Sequence, residues 1–247
     1  MFRDSLIDTA VKLRIDEPLL RVRATLSPRH RGDAREHREL RRALASVIGP
    51  ASNCIDIGAF RGRVLSEITR LAPQGRHIAY EPLPDRYSLL VRRFPGVEVR
   101  QAAVSRVPGE ATFTIVNDSP GLSGFVDRWH DGGAHRTVTM LVRVEALDHD
   151  LPEGYVPHFI KVDVEGAERL VFEGAVRTIA EHHPAILFEH GPGGAEHYET
   201  RPGDIYDLLS GECGLRIFTL SGTRPLTLAE FEDTFHRNEE WNFLARA

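Results

Sequence analysis

From residue 51 to about residue 190, short apolar runs alternate with amphipathic stretches. Asn53-Cys54-Ile55-Asp56-Ile57 reads as a strand, and Val64-Leu65-Ser66-Glu67-Ile68 has helical spacing just beyond Gly58-Ala59-Phe60-Arg61-Gly62. Arg76 to Glu81 is a second predicted strand, Pro82 to Phe94 a helix with proline near its start, and Val97 to Arg100 a third strand. Ile160-Lys161-Val162-Asp163-Val164 is an apolar, β-branched run of the kind buried in parallel sheets, and it ends in Glu165-Gly166 before a predicted helix over Leu170 to Ala180. Pro184 to Gly191 repeats the strand pattern. Ile205 to Leu209 is expected as helix, with Leu215 to Leu220 and Asn242 to Ala247 as closing strands. This order predicts an α/β fold with a mostly parallel sheet and helices on both faces.

Two stretches interrupt the alternation. Ala111 to Val116 and Thr137 to Val144 both have strand character, and about twenty residues rich in glycine join them. A loop of that length is expected to act as a lid or a mobile tip, with Ser123 and Trp129 as candidate substrate contacts. Ahead of the alternation, Leu6, Ile7, Val11, Leu13 and Ile15, then Leu40, Leu44, Val47 and Ile48, recur at roughly helical spacing. The expected organisation is an N-terminal helical appendage over 1–50 and one large domain over 51–247.

Composition narrows this picture. With 247 residues, 41% hydrophobic and 27% charged, the chain suits one main core. It has no run long enough for a membrane span and no leader-like apolar segment, so no membrane association and a cytoplasmic location are expected. Cys54 and Cys213 lack metal-site spacing and are expected to be buried thiols. Residues 1–50 carry a net +4 against −5 for the whole chain. Without aromatic interleaving, that basic lead is expected to serve packing or a homodimer contact, with no nucleic-acid partner. Lysine occurs only at positions 12 and 161, which marks Lys161 as a position to test.

The candidate chemistry sits where strands end. Ligands of open α/β sheets bind at the carboxyl ends of the strands. Asp163 and Glu165 end one strand, Glu189 and His190 the next, and Glu81 an earlier one. Capping of the following helix is the competing reading for Glu165. Gly58 permits close backbone approach, Gly62 tight helix packing, and Glu81 is placed to accept hydrogen bonds from both hydroxyls of a ribose. The pattern suggests an adenosine-containing cofactor. A nicotinamide dinucleotide wants G-x-G-x-x-G, but Phe60 occupies the second glycine position. Asp56, just before the loop, suits a cationic sulfonium and ammonium better than phosphates.

Asp56-Ile57-Gly58-Ala59-Phe60-Arg61-Gly62, Tyr80-Glu81-Pro82, Gln101-Ala102-Ala103-Val104-Ser105 and Ile160 to Glu168 resemble the FkbM family of S-adenosylmethionine-dependent methyltransferases over roughly residues 50–190. The resemblance implies a Rossmann-like sheet with one antiparallel strand near the C-terminus, and O-methylation of hydroxyls on natural products, sugars or glycolipids. It further implies that Gly58, Ala59 and Gly62 line the methionine and ribose end, with Phe60 in the same loop. Glu81 would hold the ribose, Ala102 and Ala103 would lie by the adenine, and Asp163 and Glu165 would face the transferred methyl.

Transfer of a methyl to an alcohol needs positioning and a base. His190, Asp163, Glu165 and Glu189 are the candidates for the base, or together for a Mg²⁺ that acidifies the hydroxyl. The expected acceptor is a small-molecule hydroxyl, most often a carbohydrate, with a mannoside oligosaccharide among the options. Lys161, Ser123, Trp129 and Tyr198 are candidate substrate contacts. The competing reading is a non-catalytic, cofactor-binding scaffold whose basic N-terminal helices hold a partner.

Overall fold

The computed structural model describes residues 28–126, 136–238 and 240–247, with side chains described from residue 37. Its centre is a seven-stranded sheet: β1 (Cys54–Ile57), β2 (His77–Tyr80), β3 (Glu98–Arg100), β7 (Phe159–Val162), β8 (Ala185–Glu189), β9 (Arg216–Thr219) and β10 (Asn242–Arg246). The spatial order is β3-β2-β1-β7-β8-β10-β9. β10 runs antiparallel to both neighbours, whereas β1, β2, β3, β7 and β8 are parallel. This is the expected fold, antiparallel strand included.

Every residue of β1, β2 and β7 is buried, because helices cover both faces and leave no polar side to alternate. Alternate positions serve opposite faces. Ile55, Ile57, Ile160, Val162, Ile186 and Phe188 join the larger core, while Cys54, Phe159 and Leu187 face the other way. That second face is covered by α1 (Pro28–Val47), through Leu40, Leu44 and the following Ile48, and by α2 (Arg63–Leu71), through Val64 and Ile68. Arg41 Nε lies 3.3 Å from Glu67 Oε1 and ties the two helices. The basic lead segment therefore packs on the domain where it is described. The earlier apolar positions from Leu6 to Ile15 lie outside the described residues.

A three-stranded sheet, in the order β4-β6-β5, stands beside the first: β4 (Ala103–Val104), β5 (Gly109–Val116) and β6 (Thr137–Glu145). β5 and β6 form an antiparallel hairpin, and β4 pairs parallel with β6. The hairpin is the expected insertion. Its ascending side carries a 3₁₀ turn at Pro120–Leu122 that leans back toward the first sheet. Residues 127–135, with Trp129 among them, lie outside the description.

Several boundaries differ from the expected ones for identifiable reasons. The helix expected from Pro82 begins at Pro84, as α3 (Pro84–Arg93), because the Leu83 amide is taken by Glu81 Oε1 at 2.9 Å. The helix expected over Leu170 to Ala180 is two helices, α5 (Glu168–Glu173) and α6 (Val176–His182), after a short α4 (Leu147–Asp150). The break falls at Gly174, where a Cβ would lie 2.2 Å from the Ser105 carbonyl oxygen. The helix expected over Ile205 to Leu209 is α7 (Pro202–Tyr206) running into a π turn at Asp207–Glu212. An unanticipated helix, α8 (Leu228–Arg237), starts at a capping box. There the Thr227 hydroxyl accepts from the Glu230 amide, and the Glu230 carboxylate accepts from the Thr227 amide.

Candidate functional site

The carboxyl ends of β1, β2 and β7 open onto a cleft. Its floor begins at Gly58, whose φ of 72° is left-handed. A Cβ there would stand 1.9 Å from the Asp163 carbonyl oxygen, so glycine is required twice over. The Gly58 and Ala59 amides both donate to the Tyr80 carbonyl at 3.1 Å, which folds the loop back over the end of β2. Phe60 follows at φ 48° and lines the cleft, with the guanidinium groups of Arg61 and Arg86 at 5.3 and 5.0 Å from its ring centre.

Gly62 serves a different purpose from the one the resemblance implied. A Cβ on it would meet Phe94 at 2.5 Å and Leu90 at 2.8 Å, so it lets α2 pack on α3 and does not line the cleft. Ala59 is likewise buried below the lining, held by its amide.

Glu81 is the polar centre of the cleft. It is 3% exposed; Oε2 accepts from the Phe60 amide at 2.7 Å and Oε1 from the Leu83 amide at 2.9 Å. Each oxygen keeps a lone pair for a ligand. Burial pushes its pKa up to about 7, against the lowering effect of the two amides, Lys161 and Arg86. Ala102, Ala103, Val104, Leu83 and Phe113 form an apolar wall beside it.

Pro120, Gly121, Ser123 and Phe125 lie over the cleft. Ser123 Oγ is committed to the Val116 amide at 3.1 Å. Tyr198, expected as a substrate contact, sits instead beside this strap: its hydroxyl accepts from the Phe125 amide at 3.0 Å.

Asp163 and Glu165 line the far end of the cleft. Glu165 adopts φ 59°, a left-handed conformation that strains a non-glycine residue. Glu189 belongs with them. Burial raises its pKa, and the charges of Asp163, Glu165 and Glu168 raise it further. Glu189 thus feels the charges of Asp163 and Glu165 without itself lining the cleft, and His190 does not join them. It follows Glu189 on the strand and faces the other way, 1% exposed, with ring centres 5.8 Å from Phe231 and 4.9 Å from Phe235. Neither ring nitrogen has a hydrogen-bond partner, and burial pushes the pKa down to about 4. The set proposed for Mg²⁺ is therefore not assembled, and among the described residues no three His, Cys, Asp or Glu side chains group to hold a metal.

Lys161 is also reassigned. Asp56 pairs in register with Lys161 across β1 and β7, so both side chains share a face, and Asp163 is two residues further along it. Lys161 Nζ lies 3.4 Å from Asp56 Oδ1 and 3.3 Å from Asp163 Oδ2, and donates to the carbonyls of Ile57 at 3.1 Å and Gly58 at 2.6 Å. Burial works against the ammonium, yet Asp163 and Asp56 hold its pKa above the ordinary value. It is a staple beneath the loop, with no donor left for substrate, and Asp56 is buried behind the loop as its counter-ion.

The sequence pattern of the methyltransferase FkbM domain matches residues 56–217, from Asp56 at the glycine loop to Ile217 in β9. The chain belongs to the FkbM methyltransferase family. Among solved structures it resembles an FkbM methyltransferase from Methylobacillus flagellatus KT, with 19% identity and a TM-score of 0.51. The match covers 81% of this chain but 44% of that one, so this chain spans under half the length of that relative. A precorrin-6y C5,15-methyltransferase from Geobacter metallireducens GS-15 also matches, at 15% identity and a TM-score of 0.43, covering 84% of this chain and 85% of that one. No curated protein sequence matches. None of the described helices is long and apolar enough to cross a membrane.

Behind the loop that carries Glu165 stands a residue the pattern reading quoted without a role. Glu168, 2% exposed at the start of α5, accepts on one oxygen from the amides of Val164 and Gly166, both at 3.1 Å. The signal was available: a carboxylate just past a glycine turn, at a position where an apolar residue would otherwise seal the helix to the sheet.

Proposed function

We propose that this FkbM domain transfers the methyl of S-adenosylmethionine to a hydroxyl of a small molecule, with sugars and glycosides as the acceptor class. Glu81 carries this reading. It is a buried carboxylate with one free lone pair on each oxygen, beside an apolar wall and near an acidic end. Vicinal ribose hydroxyls suit Glu81, an adenine suits Ala102 and Ala103, and a cationic sulfur and ammonium suit the end formed by Asp163 and Glu165. Phosphates would meet these carboxylates unpaired, and Phe60 at φ 48° fills the position where a dinucleotide needs bare backbone. Hydroxyl acceptors follow from the family resemblance and from the carboxylates at the same end.

When bound, the cofactor supplies an electrophilic methyl on a cationic sulfur. The protein's part is to bring an acceptor oxygen to it and to take the proton as the carbon–oxygen bond forms and the carbon–sulfur bond breaks. Glu189 is the base in this reading. Burial, and after it the charges of Asp163 and Glu165, raise its affinity for the proton, which makes the ionised form a stronger base than an ordinary carboxylate.

Calorimetric titration with S-adenosylhomocysteine, with NAD in parallel, tests the cofactor. Binding of NAD alone, or of neither, overturns the reading. Release of S-adenosylhomocysteine across a panel of sugars, glycosides and amines then tests the acceptor, and turnover of amines only would remove the hydroxyl assignment. Glu189→Gln should lower kcat by about 10²–10⁴-fold with donor affinity kept.

A further inference from the structure

Glu165 is a long, polar, non-glycine side chain in left-handed backbone at the mouth of the cofactor cleft. Such a conformation persists only where the surroundings over-determine it. Here the surroundings are specific. The amide before it, on Val164, and the amide after it, on Gly166, converge on a single oxygen of Glu168 at 3.1 Å each. Glu168 is held in turn as the first residue of α5, and its side chain is buried. From the other side, Gly166 at φ 103° presses on the next loop. A Cβ there would lie 2.3 Å from the Gly194 carbonyl oxygen, so the turn has no room to relax away from the helix.

We propose that Glu168 is a positioning residue: its carboxylate clamps the amides on either side of Glu165 and so holds the Glu165 side chain at the cofactor cleft. The role is distinct from that of Glu81, which lines the cleft, because Glu168 does not. It acts through backbone. Without the clamp, two loop amides lose their acceptor, Glu165 relaxes toward negative φ, and its carboxylate swings with the peptide planes. The value of this placement to the protein rests on the methyltransferase reading, but the clamp itself is a property of the fold.

The distinction between helix filler and clamp is chemical. A carboxamide in place of the carboxylate keeps one oxygen that can accept both amides, whereas a methyl keeps none. The strain argument adds a second handle, because glycine at position 165 adopts left-handed backbone at no steric cost and should need no clamp.

The experiment compares wild type, Glu168→Ala, Glu168→Gln and the double variant Glu165→Gly/Glu168→Ala as full chains. Hydrogen exchange at the Val164 and Gly166 amides is read without ligand, and S-adenosylhomocysteine affinity by calorimetry. In Glu168→Ala both amides should exchange at least about tenfold faster and affinity should fall by about tenfold. Glu168→Gln should restore both readouts to within about threefold of wild type. The double variant should melt at a higher temperature than Glu168→Ala, and should fold even where Glu168→Ala does not. Unchanged exchange in Glu168→Ala, a Glu168→Gln variant as impaired as alanine, or no recovery by Glu165→Gly would each overturn the proposal. A wild type that binds no S-adenosylhomocysteine would instead count against the cofactor reading, with the exchange data still deciding the clamp.

Discussion

The carbonyl oxygen of Asp163 occupies the space that a side chain at Gly58 would need, at 1.9 Å from the position of its Cβ. The backbone beyond β1 and the backbone beyond β7 therefore touch where the cleft begins. Gly58→Ala must part the strand ends and also take φ 72°. Combining left-handed strain with overpacking, the expected cost is about 2–4 kcal/mol, with loss of donor binding. Chemical denaturation measures the first and calorimetry the second. Gly96→Ala, where nothing lies within 4 Å of the added carbon, is the control and should stay within about 0.5 kcal/mol.

Lys161 and Asp56 form a buried pair whose loss should be severe. Lys161→Met leaves the Asp56 carboxylate buried without its counter-charge, at an expected cost of about 3–5 kcal/mol. Arginine should not rescue it, because the ammonium reaches two carboxylates and two carbonyls at one point that a planar guanidinium cannot match. Urea midpoints of the two variants would check both statements.

Much of this was legible in the chain. The alternation of runs located all seven central strands and the hairpin, and the strand-end rule pointed to the cleft that Gly58, Glu81, Asp163 and Glu165 line. What escaped is what depends on which way a side chain faces once a strand has ended. Glu189 and His190 are adjacent, and only the packing of α8 shows that the imidazole lies against Phe231 and Phe235, away from the cleft. Lys161 looked free for substrate because the register that places it beside Asp56 is a property of the sheet and not of either run. Gly62, read from its residue pattern as a packing glycine, packs against Leu90 and Phe94, and only the resemblance had given it the cofactor as well.

His190 should prove dispensable for chemistry. Its ring lies between Phe231 and Phe235 with both nitrogens unpartnered. His190→Phe should therefore keep turnover within about twofold and raise stability by about 1 kcal/mol, as removing an unsatisfied buried polar group does. A large loss of kcat with the fold intact would return it to the list of bases.

Stability should fall as pH rises through the neutral range, in part because of Glu81. Its folded pKa, about 7, lies above the ordinary value of 4.5, so the folded state holds the proton that the unfolded state has already released. This contribution is full below about pH 4.5 and gone above about pH 7, and it amounts to roughly 2–3 kcal/mol between pH 5 and 8. Melting curves at the two pH values should show that drop in wild type and a smaller one in Glu81→Gln. An equal drop in both would mean that Glu81 does not titrate there.

The antiparallel strand also sets a timetable. β10 follows β9 in the chain but lies between β8 and β9 in the sheet. Until residues 242–246 have left the ribosome, β8 and β9 each present an open edge with no neighbour to bridge them. The nascent chain can complete the glycine loop and the Glu81 turn early, yet the slot at the centre of the other half waits for a segment of five residues made after every other strand of the sheet. Any pause ahead of that segment would leave a nearly finished sheet with two sticky strands, a natural handle for chaperones or for self-association.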